Sequence, residues 1–217
     1  MTTFGWPEFL FILRSAGWTL LLTLVAFSIG SLLGGALAIL RLSENRVIRR
    51  VASTYILVIQ SIPVLMVLFM SYYGLSLFGI ELPSFFAASA SLAIYASAYL
   101  AEIWRGSIES VPYQQWEASS SLALTRAQQY RYIILPQAIR ISLPPTVGFL
   151  VQLVKNTSIV SVVGFVELSR AGTLVNNATF KPFQVFTVVA AFYFLICFPL
   201  SRLSRHLEKV MNAGHRH

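Results

Sequence analysis

Between Arg14 and Arg41 the chain carries no Asp, Glu, Lys or Arg, and the same holds between Arg50 and Glu81, Glu81 and Glu102, and Lys181 and Arg202. A fifth run, Ile141 to Val166, is interrupted only by Lys155. Each interval holds the roughly 20 residues that an α-helix needs to cross the hydrocarbon core of a bilayer. No water is available there to satisfy backbone groups, so each crossing must close its hydrogen bonds within itself. That requirement predicts an all-α integral membrane chain of about five spans, over residues 17–40, 51–74, 84–104, 142–166 and 183–201. A soluble domain spends about a quarter of its residues on charge; this chain spends 11%, and 56% of it is hydrophobic. One transmembrane domain over residues 1–217 accounts for the whole sequence, which shows no low-complexity tract or convincing internal repeat.

The net charge of +8 would suggest a nucleic-acid partner in a soluble protein, but its distribution excludes that reading here. Arg41, Arg46, Arg49 and Arg50 follow the first run, and Arg105, Arg126, Arg131 and Arg140 lie between the third and fourth. Arg202, Arg205, Lys209 and Arg216 follow the fifth, whereas the opposite loops hold only Arg14, Arg170 and Lys181. Basic residues collect on the cytoplasmic side of membrane proteins. The N-terminus is therefore expected outside, the C-terminus inside, and residues 110–138 on the cytoplasmic face. The lone Cys197 falls in the fifth span without partners for a disulfide or a metal site. The first apolar run is too long for the core of a cleaved signal peptide and lacks a preceding basic segment.

Small and polar residues mark where the spans meet one another or a pathway. Gly30 and Gly34 stand four apart in the first span, a spacing that lets helix backbones approach closely in lipid, within the subunit or across a dimer. In the second, Pro63 removes a backbone donor and predicts a kink; Gln60 and Ser61, just before it, can line a pathway or satisfy the freed backbone. In the third, Tyr95, Tyr99 and Glu102 share one face, and Glu102 suits a boundary ion pair with Arg105, a cavity role being the alternative. In the fourth, Gln152, Lys155 and Asn156 fall within about a 100° arc. A lysine deep in a span is costly, so Lys155 should face a bundle interior or a water-filled cavity.

The polar stretch "EASSSLALTRAQQYRYIILPQA", residues 117–138, stands apart from all of this. Pro112 suits a helix start, Thr125 with Gln128 reads as a capping box for a second short helix, and Pro136 disfavours helical geometry at Leu135, where that helix should stop. Trp116, Leu122, Leu124, Ile133 and Ile134 could attach the pair to the membrane domain or to a partner. Lying on the lipid headgroups is the alternative.

This stretch resembles the EAA loop of ATP-binding-cassette importer permeases, with Glu117, Ala118, Ile133, Leu135 and Pro136 at matching positions. Upstream "AYLAEIWRGSIESVPYQQWEA" and downstream "LVKNTSIVSVVGFVELSRAG" are similar to the polar amino acid subfamily, the permeases of histidine, glutamine and arginine type. The resemblance runs from about Gly17 to Arg205. It implies a permease half, paired with an identical or homologous second permease, two cytoplasmic ATPase subunits and an exterior substrate-binding protein, and carrying a small polar amino acid inward through the membrane lipid. It implies ATPase coupling through Glu117, Ala118, Ala123, Leu135 and Pro136, while the polar positions inside the spans, Gln60, Ser61, Tyr99, Gln152, Lys155 and Asn156, are the candidates for a substrate pathway. No G-x-x-x-x-G-K-[ST] loop is present, so ATP and Mg are expected on the partner ATPase, this chain holding no cofactor or metal and being no enzyme. An ATP-independent secondary carrier or channel for small polar solutes is the alternative. Ala123 replaces the family's Gly, which predicts strain if the backbone there is left-handed. Gln60 replaces an Arg, and Asn156 leaves the fourth span without a carboxylate.

Overall fold

The computed structural model describes residues 4–213 and contains helices only among them. The first, α1 (Trp6–Arg41), runs 36 residues and starts eleven residues before the predicted span, where Glu8 accepts from the Gly5 N–H at 2.9 Å. Next come α2 (Arg46–Ser61), α3 (Val64–Phe69) with a π-helical turn at Met70–Gly74, and α4 (Ser84–Glu109). Then follow α5 (Tyr113–Ser121), α6 (Arg126–Gln128), α7 (Leu135–Asn156), α8 (Leu168–Thr179) and α9 (Pro182–Ala213). Four helical stretches are long and apolar enough to span a bilayer, and α2 with α3 makes a fifth if the bent pair counts as one.

Two expectations need correction, and one helix was not foreseen. Pro63 does more than kink the second span: α2 stops at Ser61, and the next helix leaves at 104° to it. The second polar helix does not stop at Leu135, because helical structure continues from Arg126 to Val163. A π-helical turn, Gln129–Ile134, precedes Leu135, whose N–H reaches five residues back to the Tyr130 carbonyl. Where such a turn returns to α-helical counting one carbonyl is left over, and a proline without a donor fits there. Finally, the loop between the last two spans holds a helix of its own, α8.

The centre of the bundle is α1 against α4. A Cβ on Gly30 would stand 2.6 Å from the Ala96 Cβ, and one on Gly34 would stand 3.0 Å from the Ser97 carbonyl oxygen. The two glycines therefore serve contact within the subunit, meeting a face of α4 made of the buried Ala93, Ala96, Ser97 and Leu100. Around that seam, Leu22, Leu92, Phe149, Leu153 and Val160 complete one core cluster. Ile12, Leu168, Ala171 and Val185 form a second, which seats α8 between α1 and α9.

Candidate functional site

The polar stretch folds as two helices around a tight turn, held rigidly to one end of the bundle. Thr125 caps the second helix with the predicted capping box, Gln128 returning the bond to the Thr125 N–H at 2.9 Å. α5 ends with the Ala123 N–H on the Ser120 carbonyl and the Leu124 N–H on the Ser119 carbonyl, the Schellman pattern that needs a left-handed residue just past the helix. That residue is Ala123, at φ +55°, so the strain foreseen at this position is present. Gln129, nearly buried, donates to Ser120 at 3.1 Å and to the Leu124 carbonyl at 3.0 Å, locking the turn from below.

Apolar side chains divide by role. Trp116 meets Tyr130 edge to face at 5.1 Å, and with Ile133 and the buried Ile134 it packs on Ile108, Val111 and Ala138. Leu122 stays 72% exposed at the tip. Glu117, Ala118 and Ala123, on α5 and its turn, and Leu135 and Pro136, at the start of α7, are all exposed. Arg126 pairs with Glu44 of the α1–α2 loop.

At the same end, Glu102 accepts from Arg41 Nε at 3.1 Å and from Arg105 at 2.7 Å, and Arg105 also holds Glu109. Glu102 is thus a boundary ion-pair residue that ties α1 to α4.

The candidate pathway residues separate into a cluster and two outliers. Gln152 donates to the Tyr95 hydroxyl at 2.9 Å. Tyr95 lies 4.5 Å from Tyr99 between ring centroids, and Tyr99 stacks on Phe149 at 5.6 Å. Asn156 approaches Tyr95, yet its buried Nδ2 lacks a partner at hydrogen-bond distance and geometry. Gln60 reaches the Ala98 carbonyl at 3.4 Å, beside Tyr99. Ser61 is exposed at the α2–α3 break, away from this cluster's hydrogen bonds. Lys155 does not face the interior of this chain's own bundle: it is exposed, as is Gln152, because Phe149, Leu153 and Val154 occupy the buried face of α7.

Sequence reasoning missed a second polar node. Glu167, fully buried, accepts from the Ser169 N–H at 2.9 Å, the Arg170 N–H at 2.8 Å and the Tyr193 hydroxyl at 3.0 Å. Thr19 of α1 accepts from the Leu168 N–H at 3.1 Å and closes the node. Burial pushes the Glu167 carboxyl above its ordinary value, while these donors pull it back. The available signal was a carboxylate within "GFVELSRAG", a helix N-cap in an otherwise apolar stretch.

Residues 26–212 match the family described as binding-protein-dependent transport system inner membrane component. The chain is 38% identical over 191 residues to a probable glutamine ABC transporter permease protein, GlnM, of Bacillus subtilis, covering 88% of each. It is 34% identical to the nopaline transport system permease protein NocM of Agrobacterium fabrum, over 93% of this chain and 88% of that one. The L-cystine transport system permease protein TcyB of Bacillus subtilis is 35% identical, over 88% and 82%. Among solved structures, an amino acid ABC transporter crystallised with histidines superposes with a TM-score of 0.88 at 38% identity, over 92% of this chain and 93% of that one. An inward-facing MetNI methionine ABC transporter superposes at 0.74 with 20% identity, over 94% and 99%, a likeness of fold. The chain belongs to the family of binding-protein-dependent transport system inner membrane components: it is the multi-pass permease subunit of an ABC importer of the inner membrane.

Proposed function

We propose that this permease, acting as one domain over residues 1–217, carries polar amino acids or close derivatives inward, with the N-terminus outside and the C-terminus in the cytoplasm. Relatives named for glutamine, nopaline and L-cystine support that substrate class. Two cytoplasmic ATPase subunits hold ATP and Mg, this chain contributing no catalytic group, and an exterior binding protein delivers the solute. The carrying observation is the exposed, rigidly backed loop: Glu117, Ala118 and Leu122 project from a helix pair anchored through Trp116 and Ile134. A partner that pushes on such a loop moves α4 and α7 with it, because the loop is continuous with both.

The pathway follows from where charge cannot rest. A lysine in the middle of an apolar helix is costly against lipid, and Lys155 with Gln152 is exposed on the isolated chain. A second permease, identical or homologous, covers that face and leaves a polar passage lined by Gln152, Lys155 and Asn156, with Tyr99, Gln60 and Ser61 contributing from α4 and α2. Purification of the tagged permease from its native membrane, with mass spectrometry of what co-elutes, tests the assembly. An ATPase subunit should be recovered with the wild type and lost with Glu117→Lys. Recovery of a homo-oligomer alone would contradict the reading.

A further inference from the structure

The first turns of α2 carry Arg46, Arg49 and Arg50, all exposed, and none of the three has a carboxylate partner among the described residues. The acids nearest in sequence and space are already engaged: Glu44 holds Arg126, and Glu102 holds Arg41 and Arg105. Two adjoining hollows run along this helix and share Arg46 and Arg50. The smaller, about 280 Å³, is walled by Arg41, Arg46, Arg49, Arg50 and Ser53. The larger, about 600 Å³, is walled by Arg46, Val47, Arg50, Val51 and Thr54. Val47 and Val51 stand one turn apart, 70% and 65% exposed.

Such a pair of hollows has a head and a tail. Guanidinium groups present forked N–H donors that match phosphate oxygens in pairs, so the smaller hollow suits a phosphate. The larger continues from the same arginines onto an apolar wall. The position agrees, because the charge-free run that continues to Glu81 starts at Val51, one residue past Arg50. The arginines and Val47 therefore lie at headgroup level, and Val51 at the start of the hydrocarbon. A free phosphate would fill the smaller hollow and leave both valines uncovered. A zwitterionic lipid would bring its own cation among three unanswered arginines.

We infer that the start of α2 is a binding site for one anionic phospholipid. Its phosphate is seated among Arg46, Arg49 and Arg50, its glycerol lies on Val47, and its upper acyl chain lies on Val51 and Thr54. The site is independent of the substrate pathway and of the coupling loop.

Titration of the delipidated permease, as purified with whatever subunits it retains, against phosphatidylglycerol and phosphatidylcholine of matched chains tests the site by native mass spectrometry. Phosphatidylglycerol should bind in preference. Its affinity should fall about fivefold for each arginine removed, hence roughly 25-fold in R46Q/R50Q. R46K/R50K should recover most of the loss, and R202Q/R205Q, at another basic boundary, should leave the affinity unchanged. V47S/V51S should weaken lipid binding without altering the preference for negative charge. Undiminished phosphatidylglycerol binding in R46Q/R50Q, or equal binding of the two lipids, would overturn the proposal. Displacement of the lipid by millimolar inorganic phosphate would assign the site to a free anion instead. Loss of a protein subunit with lipid binding intact would assign it to protein docking.

Discussion

At the scale of single residues, an alanine stands where the backbone favours a glycine. Ala123 holds a left-handed conformation in a Schellman turn, which costs a side-chain-bearing residue about 1 kcal/mol. Ala123→Gly is expected to raise the midpoint of thermal unfolding by an amount corresponding to about 1 kcal/mol; an unchanged or lower midpoint would show that the turn is not strained. The substitution was legible in the sequence, but the sign of φ was not, since it depends on where α5 ends. Lys155 was legible as an intramembrane charge, and of the two surroundings expected for it the chain's own bundle interior is not the one it takes, since its side chain is exposed. Lys155→Met should reduce solute uptake about tenfold, the scale of a lost charged hydrogen bond, while ATPase recruitment stays intact. Loss of recruitment as well would make Lys155 structural. Glu167 carries a pH signature. Burial raises its carboxyl above its ordinary value, so the folded state binds this proton more tightly than the unfolded state does. The folded state is therefore favoured at low pH and loses stability as pH rises through the range in which the unfolded and then the folded carboxyl deprotonate. Glu167→Gln mimics the protonated form and should flatten that decline in unfolding midpoint against pH; an unaltered slope would remove Glu167 as its source.

At the scale of elements, periodicity and charge-free length placed the spanning helices, because lipid imposes that pattern on any sequence. What it could not place was the behaviour at proline. Pro63 ends α2, while Pro136 sits within continuous helix after a π-helical turn. Both prolines lack a donor; they differ in whether the preceding turn leaves a carbonyl to spare, which neighbouring packing decides. α8 escaped notice because its N-cap is a buried Glu167 whose partners come from α1 and α9. The Gly30–Gly34 spacing was readable, and the structure resolves its open choice in favour of α1 against α4. Gly30→Val should therefore fail within the subunit. With the Ala96 Cβ 2.6 Å from where a Cβ would stand, it should destabilise the fold by about 1–3 kcal/mol even where the permease is held as a monomer. A variant whose monomer is stable but whose dimer dissociates would place the contact between subunits instead.

At the scale of the whole molecule, the polar loop and the central helices form one connected set of contacts. The coupling loop continues into α7, and its seat against α4 is fixed by the Ile108–Ile134 cluster. α4 in turn is bound to α1 by the glycine seam and by the Arg41–Glu102 pair. Glu117 is thereby linked through these contacts to the helices that carry Tyr99 and Gln152. The family was readable from "EASSSLALTRAQQYRYIILPQA", and so was the short helix pair, because its residues are polar where the rest of the chain has apolar ones. Which solute passes was not, because no residue of the Tyr99–Gln152–Asn156 cluster carries a charge that selects one amino acid over another. The measurement that bears most directly on this account is uptake of labelled polar amino acids into vesicles holding the purified transporter and its exterior binding protein, with and without internal-side ATP. Uptake that requires ATP and disappears in Glu117→Lys is the expected result. Uptake that proceeds without ATP, driven by an ion gradient and indifferent to Glu117, would contradict it.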